Sequence, residues 1–188
     1  MINLKKKKIK IFSKDKKISL QRLFDFKYCS NNYQKWLSDE QINRFLEVRL
    51  KKISKKEIKE NIKRSFNSNN QLLMGIYLRK GVKTATHIGN IKAQININHL
   101  NADISIVIGE KNNFNKKIGS KSIKIFSEYL FNKLNLQKLS AGAYEQNIYS
   151  LKAFKAVGFK FGARLIKNRI FNGKRCDEIY VYKLKKQD

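Results

Sequence analysis

One loop of the sequence has the residues of a phosphate-binding site. The stretch FNKKIGSKSIKIFSEYLF (114–131) leads from a Lys- and Asn-rich loop through Gly119 and Ser120 into a segment with apolar residues at helical spacing. A helix that begins at such a loop can bind phosphate, because its free N–H groups and the positive end of its dipole point at the anion. Glycine-rich phosphate loops usually carry several glycines, whereas this one has Gly119 alone. The stretch therefore indicates either a worn phosphate cradle or a basic loop before an ordinary helix.

The segments around this loop predict the sheet and helices that would position it. Alternating or continuous apolar residues predict strands at 18–23, 71–79, 86–97, 102–110 and 138–145, and on both sides of the hairpin signal Asn172–Gly173. Helical spacing predicts two short helices within 31–49 and further helices at 54–66, after Gly119, and at 148–157. Ser54 and Glu57 form a capping box at the start of the second of these segments. We expect one domain over residues 1–188, with an α+β (mixed α/β) fold built around one sheet.

Composition excludes several classes of protein. The chain has 188 residues, of which 41% are hydrophobic, so a sizeable core is expected and disorder is not. No apolar run approaches the ~20 residues of a membrane span, and the Lys-rich start lacks the apolar region of a secretory signal. Cys29 and Cys176 are far apart and have no partners at metal spacing. We therefore expect a cytoplasmic protein with free thiols, no metal and no membrane partner.

The formal net charge of +28 has two competing explanations. Such a field attracts polyanions, which favours a nucleic-acid partner. The chain also has 34 Lys, 20 Asn and 23 Ile but no Pro, which is the composition that an A- and T-rich genome produces. The lysines are scattered through every segment, so binding of polyanions and compositional drift both remain open.

The segment after the loop carries a family resemblance. LSAGAYEQNIYSLKAFKAVGF (139–159) places Asn147, Ser150, Phe154 and Gly158–Phe159 in a strand–helix unit that directly follows the loop–helix unit. In this order the two units resemble the GNAT superfamily of acetyl-CoA-dependent N-acetyltransferases. YQKWLSDEQINRFLEVR (33–49) and HIGNIKAQININHLNADISIVIGE (87–110) are similar to the branch with ribosomal-protein N-terminal, spermidine and amino-sugar acetyltransferases. The resemblance covers nearly the whole chain. It implies a GNAT-like, mostly antiparallel sheet that is splayed between strands 102–110 and 138–145, with helices on both faces.

The resemblance also implies how acetyl-CoA is held. In the family, a Gln or Arg stands three residues before a Gly, which is followed two residues later by Gly or Ala. Here those positions are Phe114, Lys117 and Gly119, so two of the three depart from the pattern. A Lys where φ > 0 is needed costs of order 1 kcal/mol, but the cradle works through main-chain N–H groups and the added charge compensates in part. We expect a worn but working cradle, formed by Lys116, Lys117, Ile118, Gly119 and Ser120.

The pantetheine arm of the cosubstrate is expected in the splayed gap. By the resemblance, it would pair with the main chain of Ile106, Val107 and Ile108, and Asn147 would bond it from the other side. One main-chain N–H there would polarise the thioester carbonyl.

The expected reaction is direct attack of a primary amine on the thioester, because neither cysteine has a His nearby in sequence. The amine is mostly ammonium at neutral pH and needs a base, for which Asp103, His99 and Glu145 are alternatives. Many family members protonate the leaving thiolate with a Tyr, but that position is Phe154 here. Ser150 occupies the place of a Ser in the ribosomal-protein branch and is the expected acid; a helix-capping serine is the alternative.

The acceptor pocket of this branch lies at the first helices. Its candidates here are Trp36, Arg44, Phe45, Glu47 and Arg49; the alternative is that Trp36 and Phe45 are ordinary core residues. Because the chain is so basic, we expect an anionic acceptor such as a nucleotide-linked amino sugar, with a (ribosomal) protein N-terminus as the alternative. We expect no specific nucleic-acid partner, and a monomer or a homodimer. Alternatives from other classes are a CoA-binding protein without catalysis and a basic nucleic-acid-binding module.

Overall fold

The strands of the described part of the chain form a single eight-stranded sheet. The computed structural model of the protein describes residues 2–29, 31–81 and 84–186. In chain order the strands are β1 (Lys10–Phe12), β2 (Ile18–Arg22), β3 (Gln71–Lys80), β4 (Thr84–Asn96), β5 (Asn101–Ile108), β6 (Lys138–Tyr144), β7 (Lys160–Phe171) and β8 (Lys174–Leu184). They lie in the order β1-β2-β3-β4-β5-β6-β8-β7, and only β5 and β6 among these neighbours run parallel. The predicted mostly antiparallel sheet is confirmed.

The α-helices of the same residues are short except for two. They are α1 (Tyr33–Ser38), α2 (Glu40–Asn43), α3 (Lys55–Phe66), α4 (Ile118–Asn132) and α5 (Ile148–Lys155). The capping box of α3 is present, since the Glu57 N–H donates to Ser54 Oγ at 3.1 Å and the Ser54 N–H donates to Glu57 Oε2 at 2.7 Å. No helix in the described ranges is long and apolar enough to cross a membrane.

Two apolar clusters cover the two faces of the sheet. In the larger cluster, Phe126 and Leu130 of α4 pack with sheet residues such as Met74 and Ile91, and all four are fully buried. The smaller cluster lies on the opposite face, where Leu73 of β3 packs with residues of α1 and α3: Tyr33, Trp36, Ile58 and Ile62. Helices therefore lie on both faces, as predicted.

The sheet divides between β5 and β6. These strands pair over three residues only, from Asn101 opposite Lys138 to Asp103 opposite Ser140. Beyond that point β5 continues along β4 to Ile108 and β6 continues along β8 to Tyr144. Burial falls along the same stretch of β5, since Ala102 and Ile104 are buried whereas Ile106 and Ile108 are half-buried. The predicted splay is confirmed, and its vertex lies at the pair Asp103 and Ser140.

Two local elements differ from the sequence expectation. β1 was not expected, because it has only three residues, too few to show an apolar pattern of their own. The second predicted helix within 31–49 ends early, and Glu47–Leu50 form a separate 3-10 helix. Leu46 between them is extended (φ −104°, ψ 141°), so the chain changes direction before Glu47.

Candidate active site

The loop before α4 has the main-chain shape of an anion cradle. Asn115 and Lys117 both have left-handed backbone conformations, with φ values of 58° and 57°. The first intrahelical bond of α4 runs from the Lys121 N–H to the Lys117 carbonyl at 3.0 Å. The N–H groups of Ile118, Gly119 and Ser120 precede it and are therefore free to bind a ligand. A Cβ at Gly119 would meet no heavy atom within 4 Å, so the space beside this turn is open.

Lys117 is the position at which the sequence departs most from a glycine loop. Its side chain makes no capping bond to the helix that it precedes. The Ser120 hydroxyl instead donates to the Lys117 carbonyl at 3.0 Å, which helps to hold this turn. A left-handed Lys costs about 1 kcal/mol relative to a relaxed backbone. The loop thus keeps the shape that glycine favours without having glycine there.

The gap between β5 and β6 offers unpaired main-chain groups next to this cradle. After the last pair at Asp103 and Ser140, alternate N–H and C=O groups of residues 104–108 face away from β4 and have no strand beside them. A strand edge left unpaired in this way can take an extended hydrogen-bonding partner. Because β5 leads directly through the loop into α4, an extended ligand in the gap would place its anionic end at the cradle.

The N-terminus of α5 lies at the end of the opposite strand, β6. Asn147 caps the helix, and its Oδ1 accepts from the Ser150 N–H at 3.3 Å. The cap uses the main chain of Ser150, so it does not depend on the serine hydroxyl. Phe154 is buried and packs edge-on against Phe159, with ring centroids 4.9 Å apart. Phe154 therefore belongs to the core.

Asp103 is the candidate base that lies at the vertex of the gap. Its side chain is exposed, and Oδ1 accepts a hydrogen bond of 2.6 Å from the Ser140 hydroxyl. The bond joins the two strands at the last residue pair before they part. An exposed carboxylate at this point can take a proton from a group that reaches the vertex.

The other two candidate bases are placed differently. His99 is exposed in the turn between β4 and β5, on the far side of the paired residues from the gap. Glu145 follows β6, where its Oε1 accepts from the Asp177 N–H at 3.2 Å and its Oε2 accepts from Arg164 at 3.1 Å. The structure thus brings Asp103 to the vertex, leaves His99 away from it, and binds Glu145 into the β7–β8 hairpin.

Residues 33–50, which we call the roof segment, cross the mouth of the gap on one face. At one end Trp36 is buried beneath the end of β5, and a Cβ on Gly109 would lie 1.9 Å from its ring. The Trp36 indole N–H donates to Glu110 Oε1 at 3.2 Å. Trp36 is therefore a core residue that fixes the roof segment, and its edge also lines a small cavity of about 310 Å³ beside Gly109 and Glu110. At the other end, Phe45 stacks on Phe171 with centroids 5.0 Å apart.

Tyr144, at the end of β6, ties the roof segment to the far half of the sheet. Its hydroxyl donates to Glu47 Oε1 at 2.8 Å and accepts from Arg49 at 3.0 Å. Arg49 also donates to the Ile170 carbonyl at 2.7 Å. Burial raises the pKa of Tyr144, and the bond to Glu47 raises it further. The phenol therefore stays protonated and keeps donating to Glu47.

A buried ion pair lies behind Tyr144. Arg169 donates to both oxygens of Glu178, at 2.9 and 2.7 Å, and the Glu178 side chain is almost fully buried. The hydrogen bond to Glu178 raises the pKa of Arg169. Glu178 Oε1 also lies 2.7 Å from where a Cβ of Gly142 would stand, so a side chain there would displace the carboxylate. The pair thus stiffens the wall of the gap formed by β6 and β8.

The sequence does not mark Tyr144, Arg169 or Glu178 as site residues. Each lies in a strand whose partners depend on the register of β6, β7 and β8. The strand that holds Arg169 also carries Lys160, Arg164 and Lys167, so Arg169 does not stand out in the sequence.

A cleft of about 1060 Å³ opens between the roof segment and the β7–β8 turn. Its wall includes Arg44, Arg49, Lys51 and Lys52 but only one acidic residue, Glu40. Arg44 is exposed and its guanidinium lies 4.8 Å from the Phe45 ring centroid. Arg49 is half-buried and bound to the Tyr144 hydroxyl and to main-chain carbonyls, so Arg44 is the freer of the two guanidinium groups.

Within residues 2–29, 31–81 and 84–186, no group of three or more His, Cys, Asp or Glu side chains could hold a metal ion.

The chain matches one family model over most of its length. Residues 30–160 match the model of the acetyltransferase (GNAT) domain. The matched residues begin after β2 and end just past α5, so they include the roof segment, the gap and the cradle. Among curated proteins, no sequence matches the chain.

Several solved structures are similar to the chain in fold. A GNAT-family acetyltransferase from Bacillus anthracis is 17% identical with a TM-score of 0.75, and the match covers 93% of this chain and 99% of that one. Spermidine N-acetyltransferase from Vibrio cholerae, in complex with CoA and spermine, is 18% identical with a TM-score of 0.75, covering 90% and 96%. The microcin C7 self-immunity acetyltransferase MccE, in complex with acetyl-CoA and AMP, is 18% identical with a TM-score of 0.73, covering 89% and 92%. At these identities the likeness shows the shared fold.

Proposed function

Since the chain belongs to the GNAT acetyltransferase family, we propose that it transfers the acetyl group of acetyl-CoA to a primary amine by direct attack. The observation that carries this proposal is the open gap between β5 and β6, which leads into the cradle before α4. An extended chain with a pyrophosphate at one end fits this arrangement, because the gap offers a strand edge and the cradle offers N–H groups and a helix dipole. Similar folds with CoA or acetyl-CoA bound support the same assignment.

Residues on both sides of the gap would hold the cosubstrate. The main chain of Ile106, Val107 and Ile108 would pair with its pantetheine arm, and Ile118, Gly119 and Ser120 would donate N–H groups to its phosphates. Lys116 and Lys117 would add positive charge at the cradle. Asn147 Oδ1 caps α5, so the amide nitrogen of Asn147 is the group available for the arm.

The reaction removes two protons from the nitrogen, one before attack and one as the amide forms, and supplies one proton to the sulfur. The acceptor enters as an ammonium and must lose a proton before its nitrogen can attack the thioester carbon, forming the C–N bond as the C–S bond breaks. Asp103 is the base that we assign, directly or through a water, because it is the exposed carboxylate at the vertex. The Ser150 hydroxyl would protonate the departing thiolate. A main-chain N–H of β5 would stabilise the negative charge on the carbonyl oxygen.

For the acceptor, we propose an amine linked to an anionic group, such as a nucleotide-linked amino sugar. The cleft beside the roof segment is the supporting observation, because four of its lining residues are cationic and one is acidic. Arg44 is the group best placed to meet a phosphate there. A protein N-terminus is the runner-up, since the Glu47 carboxylate at the mouth of the gap could bind a terminal ammonium.

Binding of acetyl-CoA tests the first part of the proposal. At about 100 times its dissociation constant, a ligand stabilises the folded state by about 2.7 kcal/mol. A thermal melt with millimolar acetyl-CoA should therefore show a clear increase in Tm. No increase would contradict the assignment of the gap and the cradle.

An acceptor panel tests the second part. A nucleotide-linked amino sugar, spermidine and an alanine-initiated peptide are offered side by side with a free-thiol readout. We expect the highest kcat/KM for the amino sugar, and we expect Arg44→Gln to raise its KM. A matched control is Lys133→Gln, which removes one charge on the far end of α4. Faster reaction of spermidine or the peptide would overturn the choice of acceptor while leaving the acetyltransferase assignment intact.

A further inference from the structure

A second basic cavity lies far from the gap, on the β1–β2 side of the sheet. Its volume is about 790 Å³, and it is formed by the N-terminal segment, the loop after β2 and one side of α3. The lining residues are Lys5, Lys6, Phe24, Asp25, Phe26, Lys59, Lys63, Phe66 and Asn67. Strands β3, β4 and β5 separate β2 from the gap, and at about 4.8 Å per strand the two sites are roughly 15–20 Å apart.

The charge of this cavity is not neutralised. Four lysines line it against one carboxylate, Asp25. Asp25 is already used by its own loop, since it accepts from the Lys27 N–H at 2.9 Å and pairs with the Lys27 ammonium at 3.8 Å. No ion pair joins Lys5, Lys6, Lys59 or Lys63 to a carboxylate of the described residues. A concave site with apolar walls concentrates such a field and attracts anions.

Aromatic rings interleave with these cations. Phe24 and Phe66 lie with centroids 5.5 Å apart, and Tyr28 adds a third ring 4.5 Å from Phe24. The Lys55 and Lys59 ammonium groups lie 5.1 and 6.0 Å from the Phe26 centroid. Rings beside cations form the combination that binds nucleotides, because a base stacks on a ring while the phosphates meet the ammonium groups.

The wall of the cavity is rigidly built. Arg22 is buried behind Phe66, with its guanidinium carbon 5.2 Å from the ring centroid. Its guanidinium donates to the carbonyls of Leu4 and Lys7 in the N-terminal segment and to that of Ser65 at the end of α3. One side chain thus joins the two segments that carry the cavity's lysines. The main chain of the segments that carry these lysines is therefore held around a preformed space.

We propose that this cavity binds the phosphate and base of a nucleotide, independently of the acetyl-transfer site. The source of the nucleotide is either a free nucleoside triphosphate or a single-stranded nucleic acid. Recognition through ring stacking and ammonium groups would be tolerant of base identity.

The binding experiment uses the full chain with desulfo-CoA in excess, so that the CoA site is filled. ATP is titrated calorimetrically at about 150 mM salt, where long-range attraction between exposed charges is largely screened. We expect one ATP per chain. We expect Lys59→Gln/Lys63→Gln to weaken binding by about tenfold or more, and Lys133→Gln/Lys186→Gln, which removes the same charge elsewhere, to change it by less than about threefold.

Two further probes identify what is recognised. Inorganic tripolyphosphate should bind about tenfold more weakly than ATP, and Phe24→Leu or Phe26→Leu should remove that difference. The second probe is an oligouridylate of about eight nucleotides. If it binds more tightly than ATP, and if Lys59→Gln/Lys63→Gln abolishes that binding, the source is single-stranded nucleic acid. Tighter binding of ATP would identify the free nucleotide.

Three results would overturn the proposal: no binding of either nucleotide probe, equal binding of tripolyphosphate and ATP, or equal weakening by the two double-lysine variants. A thermal melt of each variant shows whether it is folded. If Phe24→Leu does not fold, Phe26→Leu and the lysine pair still decide the outcome.

Discussion

Ser150 is the residue whose role can be separated most cleanly from structure. Its main-chain N–H, not its hydroxyl, completes the cap of α5. Ser150→Ala should therefore keep the helix and the affinity for acetyl-CoA, while lowering kcat about 10²-fold or more if the hydroxyl protonates the thiolate. Steady-state kinetics and an acetyl-CoA melt measure the two effects. Tyr149→Phe, at an exposed neighbouring position, is the control, and a Ser150→Ala enzyme at full rate would leave the hydroxyl without a catalytic role.

Asp103 and Glu145 can be told apart by the kind of defect that each amide variant causes. Asp103→Asn should lower kcat and remove the acidic limb of the pH–rate profile, because the vertex then lacks a base. Glu145→Gln should weaken the bonds to Arg164 and the Asp177 N–H, and so lower Tm with little change in the profile. Measured profiles and melts of both variants decide the assignment. The reverse pattern would move the base to Glu145.

At the residue scale, the sequence predicts positions that sit at element ends better than positions in strands. Asn147, Ser150 and Lys117 follow from a motif at a strand–helix junction, and the structure places all three at helix N-termini. Tyr144 and Glu178 depend on which strands become neighbours, and that information is not local. Trp36 is of a residue type that often lines binding pockets, but its side chain is buried, because Gly109 leaves room for the ring.

At the scale of elements, the loop before α4 combines a required shape with an unfavourable residue. Lys117→Gly should relieve about 1 kcal/mol of strain and raise the Tm of the free protein by about 2–4 °C. Lys117→Ala keeps the strained backbone conformation and should not raise the Tm. Both variants lose the ammonium group, so an equal loss of acetyl-CoA affinity would measure its contribution. A Gly variant that melts no higher than the Ala variant would contradict the strain.

The packing of α1 on the sheet predicts a pH dependence of stability. His87 is buried between Trp36 and Tyr77, with ring centroids 5.1 Å from each, and burial lowers its pKa to about 4. An unfolded histidine titrates near 6.5, so between about 6.5 and 4 the unfolded chain binds the extra proton. Stability should therefore fall as pH drops through this window, by roughly 3 kcal/mol in total.

Urea unfolding at several pH values measures this effect. His87→Gln should be less stable at neutral pH, but its free energy of unfolding should change less between about pH 6.5 and pH 4. If the free energy of unfolding of the wild type and of His87→Gln falls equally as the pH drops, groups other than His87 cause the loss of stability.

The order of elements could be predicted because each has a local signal, such as the capping box of α3 or the Asn172–Gly173 turn. β1 has no such signal, since three residues are too few to carry a pattern of their own. The splay rests on the family resemblance and not on periodicity, because strands that fail to pair leave no mark in their own side chains.

At the scale of the whole molecule, the question is whether the charge of +28 affects function. If the field steers the anionic cosubstrate, raising salt from about 50 to about 300 mM should increase the KM for acetyl-CoA several-fold and leave kcat unchanged. The KM for an uncharged amine acceptor should not change over the same range of salt. If the KM for acetyl-CoA does not change with salt, the charge does not steer the cosubstrate, and compositional drift is the explanation for the lysines.

The short ladder between β5 and β6 also determines how the molecule would come apart. Within the sheet, three residue pairs join the half built from β1–β5 to the half built from β6–β8, whereas the neighbouring ladders have eight pairs and seven. Each half would open from the other at this seam before either unravels within itself. Amide protons along the seam would exchange with solvent sooner than those of β3 and β4. A ligand lying in the gap like an added strand would hydrogen-bond to both halves, and so would hold the two halves of the sheet together for as long as it stays bound.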